Sequence, residues 1–337
     1  MTSEPAPPIH GEILTVSIVI PTRDRATSLA ITLNALHCLL VPDEIALQIV
    51  IVMDGCTDNS VDIFSQWQSQ FQHSAIAVHT DGLGAAGARN VGLTHASGDL
   101  IGFIDDDVIP ESSWLTVHLG CHQYSSEPLV SIGAMTLPQD VRLPPWNEWE
   151  VQSLRRRYHE LESGAQAEPT DLYTANAMMP RDALEQVGGF DESLRRAEDV
   201  DLGIRLADAG LKFTFLTDAS VAHYPIRTLR NWKKIPIAYA ESHFEMQTDG
   251  DDVTQLGSPQ LSNMHPITVI AVRIFARSKI TSNIYCAIAQ AFGYLAYAVR
   301  LRSISYAAFS SVYNVLYFGT LYRIQAQHVT HKFPDNA

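Results

Sequence analysis

The sequence predicts an α/β fold with a mainly parallel sheet that carries helices on both faces. Short apolar, β-branched runs alternate with amphipathic segments of helical spacing through the first half of the 337-residue chain. Polar clusters follow three of these runs. Strand–helix alternation favours parallel pairing, because each helix returns the chain to the start of the next strand.

The elements of this half can be assigned in chain order. The second helix has Asp58 or Asn59 where an N-terminal cap belongs, and small residues fill the first turn of the third helix. Apolar runs predict strands at 15–20, 46–53, 75–80 and 99–104, and helical spacing predicts helices at 25–40, 58–71 and 84–96.

Residues 136–170 interrupt the alternation. They contain a Pro-rich turn, then Trp146 and Trp149, then a basic amphipathic helix, and we expect an insertion over the sheet. The alternation of strands and helices resumes at 171–179, and a helix follows from about Arg181. A strand pair near 212–224 closes the domain. The predicted organisation is a domain over 14–235 followed by a helical extension over 236–337.

Composition and charge narrow the function classes. The net charge of −14 argues against nucleic acid as a partner. Four widely spaced cysteines form no CxxC pair, so we expect a reduced, cytoplasmic protein without a disulfide framework or zinc site. The Pro-rich residues 1–13 lack the apolar region of a signal peptide and predict a flexible arm.

The C-terminal extension is apolar and predicted to be helical from Pro266 onward. Two uncharged stretches, 280–299 and 303–322, have lengths that suit membrane spans, but their Ala, Ser, Tyr, Asn and Gln content keeps hydropathy moderate. A helical cap on the catalytic domain also stays open. We favour a peripheral contact with the inner face of the cell membrane, or a homo-oligomer surface, over a span. The flanking basic residues are Arg273, Arg277, Lys279, Arg300, Arg302 and Arg323.

The polar clusters at 21–25, 54–60 and 105–107 follow three predicted strands directly. In a parallel sheet the carboxyl ends of the strands share one edge, where ligands bind. Ordinary turns are the alternative, which is weaker for three clusters than for one. The last cluster is three consecutive aspartates, which repel one another, so they are either fully solvated or hold a cation.

Six motifs resemble the family 2 glycosyltransferases with the GT-A fold, over about residues 14–235. They are "VSIVIPTRDR", "IVIVMDGCTDNS", "GAAGARNVGL", "GDLIGFIDDDV", "VGGFDE" and "AEDVDLGIRLADAG", in that order. The resemblance implies a Rossmann-like GT-A sheet. It also implies inverting transfer of a sugar from a nucleotide-sugar, a UDP-sugar in the first place, to a hydroxyl acceptor in glycan or polysaccharide assembly. Cys56 departs from the Ser that is usual in the family.

The same resemblance implies a nucleotide site. Asp54 matches the aspartate that accepts a hydrogen bond from the nucleobase, for which a carboxylate suits an imide donor. Pro21, Thr22 and Arg23 match the loop around base and ribose. Arg89 matches an arginine beside the base and the phosphates, where a guanidinium can stack or form a fork. An exposed helix arginine is the alternative for Arg89.

The resemblance also implies a divalent cation, Mn²⁺ or Mg²⁺. Asp105 and Asp107 match the family's DxD pair, with Asp107 as the direct ligand and Asp105 on the ribose or on the metal through water. Asp106 is expected to contact the donor sugar. His223 matches a histidine in the metal shell or on the diphosphate, although an isolated His is more often a packed residue. Such a cation screens the diphosphate from the carboxylates and stabilises it as it leaves.

An acceptor hydroxyl needs a base to take its proton. Asp199 matches the second acid of the family's ED motif and is the expected base, and Glu198 is expected to orient the acceptor. Asp201 faces another way on a helix, so we expect a cap or an ion pair there. A solvated acidic first turn, favoured by the helix dipole, is the alternative.

The acceptor, a glycan or a lipid-linked sugar, is less well marked. By resemblance Asn176 bonds a sugar hydroxyl, and Asp191 shapes the acceptor edge. We expect one of Trp146 and Trp149 to pack against the core, and an acceptor contact stays open for either.

Two other functions compete. Nucleotidyl transfer usually needs a Gly-rich loop after the first strand, and "PTRDRATS" lacks the glycines. A non-catalytic carbohydrate-binding scaffold with the same fold would have lost the metal or base acids, which are present here.

Overall fold

The computed structural model describes residues 14–138, 141–248 and 260–332, so the predicted arm at 1–13 lies outside the described residues. The described chain forms two compact units. The first contains residues 14–138, 161–193 and 198–224, and the second contains 141–160, 194–197, 225–248 and 260–332. The predicted domain division at residue 235 stays a prediction.

The first unit contains a sheet and its surrounding helices. The strands are β1 (Leu14–Thr22), β2 (Ile45–Asp54), β3 (Ser74–Thr80), β4 (Leu100–Ile104), β5 (Val108–Pro110), β6 (Leu129–Thr136), β7 (Asn176–Pro180) and β8 (Lys212–His223). The helices are α1 (Ala26–Leu36), α2 (Ser60–Gln68), α3 (Gly84–His95), α4 (Trp114–Gln123), α6 (Arg181–Gln186) and α7 (Glu198–Asp208).

The eight strands form one mixed sheet in the order β3-β2-β1-β4-β7-β6-β8-β5. The strands β3, β2, β1 and β4 are parallel neighbours, as predicted. β7 is antiparallel to both β4 and β6, and β5 is antiparallel to β8. The predicted α/β class with a mainly parallel centre is therefore confirmed.

Both faces of the central sheet are buried, which explains why its strands are continuously apolar. Ile18 and Ile20 of β1 pack into the cluster that contains Leu29 and Leu33 of α1. Val19, between them, points to the other face and packs into the cluster that contains Leu93 of α3. Successive side chains of β1 therefore pack into two separate cores, one on each face of the sheet.

The register of the strands places the predicted polar clusters on one edge. β1 pairs with β2 so that Thr22 lies opposite Met53, one residue before Asp54. β4 is the other neighbour of β1 and ends at Ile104, immediately before the three aspartates. The loops after β1, β2 and β4 therefore begin side by side.

Two sequence predictions in this unit are wrong. The strand pair expected near 212–224 is one strand, β8, which pairs in parallel with β6 and, at its end, antiparallel with β5. β5 and β6 were not predicted as strands. The register of the β6–β8 pair shifts between Gly133 and Met135. This irregularity allows the long strand β8 to pair with β6 and, at its end, with β5.

The second unit is helical. It consists of most of α5 (Pro145–Glu162) and of α8 (Leu229–Trp232), α9 (Lys234–Thr248), α10 (Pro266–Phe275), α11 (Lys279–Ala298) and α12 (Arg302–Lys332). Its core surrounds Trp232, Phe309 and Tyr317. Within the described ranges, no helix combines the length and apolar character that crossing a bilayer requires.

Both tryptophans of the predicted insertion lie on α5, which begins earlier than expected. The indole N–H of Trp146 donates to the carbonyl oxygen of Arg227 (2.9 Å), and its ring is buried. The ring of Trp149 lies edge-on to Trp232, 6.1 Å between centroids, and near Tyr313. Each indole therefore packs in the helical core, and neither is placed as a sugar platform.

A pair of glycine substitutions tests the β6–β8 packing. A Cβ at Gly133 would lie 2.0 Å from the carbonyl oxygen of Ala219 and 2.4 Å from Nδ2 of Asn176. We expect Gly133→Ala to lower the free energy of unfolding by about 3 kcal/mol, measured by urea unfolding, since backbone must move. A Cβ at Gly120 in α4 would meet no described atom within 4 Å, so Gly120→Ala is expected to raise the free energy of unfolding by about 0.5 kcal/mol. Equal effects of the two substitutions would contradict the packing.

Candidate active site

The three aspartates after β4 are paired with two arginines. Arg25 donates through Nη1 to Oδ1 of Asp106 (2.9 Å) and to Oδ2 of Asp107 (2.7 Å). Arg89 donates through Nη2 to Oδ1 of Asp105 (2.8 Å). Two guanidinium groups thus compensate part of the negative charge of the three carboxylates.

Arg89 extends this charge network to the start of α7. Its other terminal nitrogen, Nη1, donates to Oε1 of Glu198 (3.0 Å). The side chain is buried, and its guanidinium lies 5.7 Å from the ring centroid of Phe190. Its Nε has no hydrogen-bond partner among the described residues. Arg89 therefore joins α3, the aspartate run and α7.

The sequence prediction placed the Arg89 guanidinium beside the base and phosphates of a nucleotide. The structure buries it between two carboxylates, because a cation in the interior is stable only when it is paired. Arg89 holds Asp105 and Glu198 through these hydrogen bonds, and its contact with a nucleotide stays a prediction.

The loop after β1 is fixed by hydrogen bonds to the loop after β2. Asp24 has a positive φ of 50° and accepts hydrogen bonds from the backbone N–H (2.7 Å) and hydroxyl (3.0 Å) of Thr57. In return, Asp58 accepts a hydrogen bond from the backbone N–H of Ala26 (2.8 Å). These reciprocal bonds hold Arg25 at the N-terminus of α1, facing the aspartates.

Asp106 is the central, buried member of the run. Its Oδ2 accepts a hydrogen bond from the hydroxyl of Thr22 (2.7 Å), and its carbonyl oxygen accepts one from Thr32 of α1 (3.0 Å). Burial raises the pKa of Asp106 to about 6, against the lowering effect of Arg25 and Thr22. The Thr22 hydroxyl and the Asp106 carboxylate are hydrogen-bonded to each other, and their expected contacts with nucleotide and sugar stay predictions.

Asp54 fixes the N-terminus of α3. Its Oδ1 accepts hydrogen bonds from the Thr80 hydroxyl (2.7 Å) and the Leu83 N–H (2.6 Å), and its Oδ2 accepts one from the Gly84 N–H (2.9 Å). Burial raises its pKa, but these bonds outweigh that effect and hold the pKa below its usual value. The carboxylate is therefore ionised, and Oδ2 keeps acceptor capacity for an imide N–H.

Asp199 lies beside Glu198 at the first turn of α7. Its carboxyl group is enclosed by protein, although the residue keeps partial solvent exposure, and Oδ1 accepts from the N–H of Val200 (2.9 Å). Burial and the charge of Glu198 raise its pKa to about 7, and Arg89 lowers it only in part. A carboxyl group that titrates near neutrality can both take up and release a proton at working pH.

Asp107 and His223 are brought together by the β5–β8 pairing, in which Val108 lies opposite His223. His223 Nε2 is 3.7 Å from Oδ1 of Asp107. Two ligands of one small divalent cation lie about 3 to 4 Å apart, so this oxygen–nitrogen pair fits such an ion. Across the described ranges, no three His, Cys, Asp or Glu side chains form a metal centre by themselves. Further ligands would come from phosphate and water.

Asn176 is buried within the sheet and bonded to neighbouring strands, and its expected sugar contact stays a prediction. Its Oδ1 accepts from the indole N–H of Trp114 (2.7 Å) and lies 3.2 Å from Nε2 of His118. Its Nδ2 donates to the carbonyl oxygens of Ala134 (3.0 Å) and Ala219 (2.8 Å). The side chain is fully buried, and its hydrogen-bonding capacity is used.

The remaining predicted residues differ in exposure. Pro21 is half-buried at the end of β1, and Arg23 is exposed, with its Nη1 close to Gly82. Asp191 caps its own turn by accepting from the N–H of Ser193 (2.8 Å). Asp201 pairs with Arg205 (2.5 Å), which confirms the expected ion pair.

Sequence reasoning missed Arg25. Its guanidinium is half-exposed, and Nε and Nη2 have no hydrogen bond within the described residues. The signal was present, because a second arginine follows Arg23 in the loop after β1, at the edge where three aspartates end another strand. Balancing the charges of that edge would have found it.

Comparison with protein families agrees with this arrangement. The model of glycosyl transferase family 2 matches residues 17–188, and that of glycosyl transferase family group 2 matches residues 105–322. The chain therefore belongs to glycosyl transferase family 2. It is similar to a pre-mycofactocin glycosyltransferase of Mycobacterium tuberculosis, with 31% identity over 241 residues. That match covers 68% of this chain and 47% of the relative, so the chain spans about half of its length.

Solved structures show the same fold. A mannosyltransferase from Pyrobaculum calidifontis, PcManGT, in complex with GDP-Man and Mn²⁺, has a TM-score of 0.56 and 19% identity, covering 95% of this chain and 88% of that one. TarS residues 1–349 from S. aureus, in complex with UDP-GlcNAc, has a TM-score of 0.52 and 15% identity, covering 94% and 92%. These neighbours confirm the GT-A fold.

Removing the Arg89 guanidinium tests the charge network. We expect Arg89→Met to lower the free energy of unfolding by about 3 kcal/mol, because Asp105 and Glu198 lose their shared partner. Urea unfolding at neutral pH measures the change. Arg181→Met is the control, since Arg181 pairs with Glu185 at the surface and its loss is expected to cost less than about 0.5 kcal/mol. A stability equal to wild type for Arg89→Met would overturn the positioning role.

Proposed function

We propose that this protein is a metal-dependent inverting glycosyltransferase that moves a sugar from a nucleotide-sugar, most simply a UDP-sugar, to an acceptor hydroxyl. The observation that carries the proposal is the enclosed Asp199 carboxyl group, whose pKa is raised to about 7 and which adjoins the arginine-bridged aspartate run. The acceptor class that we propose is a glycan or a lipid-linked sugar in glycan assembly.

The donor side requires neutralisation of a diphosphate. Asp107 and His223 would hold a Mn²⁺ or Mg²⁺ ion, which, when bound, supplies positive charge to the departing nucleoside diphosphate. Arg25 contacts Asp107 and keeps two free donor nitrogens, so it can bind phosphate oxygens from the same edge. The ionised Asp54 and the exposed Arg23 are the proposed contacts for the nucleobase end.

The acceptor side requires a base. Asp199 takes the proton of the acceptor hydroxyl as the oxygen attacks the anomeric carbon, opposite the leaving group, so that the configuration inverts. Its neighbour Glu198 is held by Arg89, which fixes the first turn of α7 and so the position of Asp199. Arg89 donates its hydrogen bonds to Asp105 and Glu198 and lowers the pKa of Asp199 only in part. Asp199 therefore stays basic enough to accept the proton.

Solved structures of the same fold support a nucleotide-sugar as the donor. A mannosyltransferase with the same fold binds GDP-Man and Mn²⁺, and TarS binds UDP-GlcNAc. These two complexes support a nucleotide-sugar donor and differ in the base, so the test must include both nucleotides.

Nucleotide binding tests the donor site. We expect UDP with Mn²⁺ to raise the melting temperature, because a ligand at a hundred times its Kd stabilises the native state by about 2.7 kcal/mol. A chelator, or Asp107→Asn, is expected to abolish the rise, whereas Asp43→Asn, at an exposed turn, should retain it. A GDP-specific rise would keep the mechanism and change the donor. A folded protein that responds to no nucleotide would contradict the proposal.

The pH dependence of transfer tests the base. The assay uses the nucleotide-sugar selected by the binding test and measures release of the nucleoside diphosphate, with an acceptor or with water. We expect kcat/KM to rise with pH and to level off above about pH 7, as Asp199 loses its proton. Asp199→Asn should lower kcat by at least about a hundredfold and remove that limb. Asp208→Asn, at the exposed end of the same helix, is the control. An unchanged limb in Asp199→Asn would assign the base elsewhere.

A further inference from the structure

The helix α11 has an inverted distribution of polarity. Its buried side carries small or polar residues, among them Ser282, Gln290 and Gly293. From Ile284 to Val299, every exposed residue is Ile, Ala, Phe, Tyr, Leu or Val. A helix that faced water would carry its charged residues on that exposed side.

The exposed apolar residues form one continuous stripe. We call this stripe the apolar face of α11, and at 3.6 residues per turn it covers an arc of about 140° over a length of about 30 Å. Ile288 is 66% exposed and Leu295 is 63% exposed, so neither is covered by this chain. The apolar face consists of Ile280, Ile284, Ala287, Ile288, Ala291, Phe292, Leu295, Ala298 and Val299.

The preceding helix adds to the same character. Ile267, Ile270 and Ile274 of α10 are exposed at helical spacing. The end of α10 and the start of α11 lie together, because Phe275 stacks on Tyr285 at 4.7 Å between centroids. Exposed apolar patches of this extent mark a binding surface.

The chain segment that carries the apolar face has charges of one sign. Residues 260–332 contain no Asp or Glu and seven Lys or Arg, although the whole chain has a net charge of −14. Arg273, Arg277 and Lys279 precede the face, and Arg300 and Arg302 follow it. Arg302 lies 3.6 Å from Glu148, whereas the other four make no ion pair with a described acidic residue.

These observations select the partner. An isologous dimer through this face would bring basic ends against basic ends in either orientation, which is unfavourable. A bilayer with anionic lipids offers hydrocarbon for the stripe and phosphates for both ends. Tyr294, 41% exposed on the same helix, suits the headgroup level.

We infer that the apolar face of α11, with its basic ends, docks in the plane of an anionic lipid surface. The helix lies in the interface, with isoleucine, leucine and phenylalanine side chains among the acyl chains and the basic residues at the headgroups. The inference stands on the second unit alone and is independent of the proposed glycosyl transfer.

Vesicle flotation of the full chain tests it. We expect the protein to float with vesicles of equal phosphatidylglycerol and phosphatidylcholine, and to float less with phosphatidylcholine alone. The double variant Ile288→Glu/Phe292→Glu should lower the partition coefficient at least tenfold, because two apolar groups leave the interface. The triple variant Arg273→Ser/Arg277→Ser/Lys279→Ser should lower the partition coefficient about fivefold for each positive charge removed. The binding of this variant should be correspondingly less sensitive to salt.

A matched control separates the face from general surface hydrophobicity. Leu40→Glu/Ile226→Glu replaces two residues that are similarly exposed, at 58% and 57%, and are not part of the face, and this variant should float as wild type does. Light scattering of the purified protein in solution reports the oligomeric state of the wild type and of each variant.

Three outcomes would overturn the inference. A folded wild-type protein that does not float with anionic vesicles contradicts it. So does flotation of Ile288→Glu/Phe292→Glu at the wild-type level. A wild-type dimer that becomes a monomer in that variant, without lipid binding, would assign the face to a second copy of the chain.

Discussion

The first unit depends on how it balances the charge of three consecutive aspartates. Two unit charges a few ångströms apart repel by several kcal/mol when water is excluded, and Asp106 is buried. Arg25 and Arg89 remove this repulsion from opposite ends of the run. Arg25 sits in the loop between β1 and α1, and Arg89 on α3, so the charge balance also fixes both elements against the end of β4.

The chemistry of Asp199 follows from the same balance. Arg89 already compensates Asp105 and Glu198, and its positive charge offsets only part of the burial at Asp199. A third carboxylate in that environment therefore holds its proton up to a higher pH. Arg89 thus acts in two ways, because it holds the first turn of α7 and offsets part of the rise in the pKa of Asp199 that burial and Glu198 cause.

Several motif residues shape the site through hydrogen bonds within the protein. Asp54 holds the start of α3, Asp106 and Thr22 bind each other, and Asn176 joins three strands through Ala134, Ala219 and its own backbone. Buried polar groups of this kind must find partners within the protein, and a satisfied network specifies one arrangement of the surrounding elements. A motif can therefore be characteristic of a family because it shapes a loop, as well as because it touches a ligand.

The sequence by itself determined the parallel strands of the central sheet and the edge where their polar loops meet, because the apolar pattern of a strand and the polar residues that follow it are local properties. The family resemblance also singled out the acids of α7 and the pair Asp107 and His223, whose roles remain proposals. Only the tertiary structure decided which charges are shared. Arg25 lies far from Asp107 in sequence, and Arg89 reaches Glu198 across more than a hundred residues, so no local pattern predicts these contacts. It also decided the single long β8 and the exposed side of α11, since burial depends on which elements pack together.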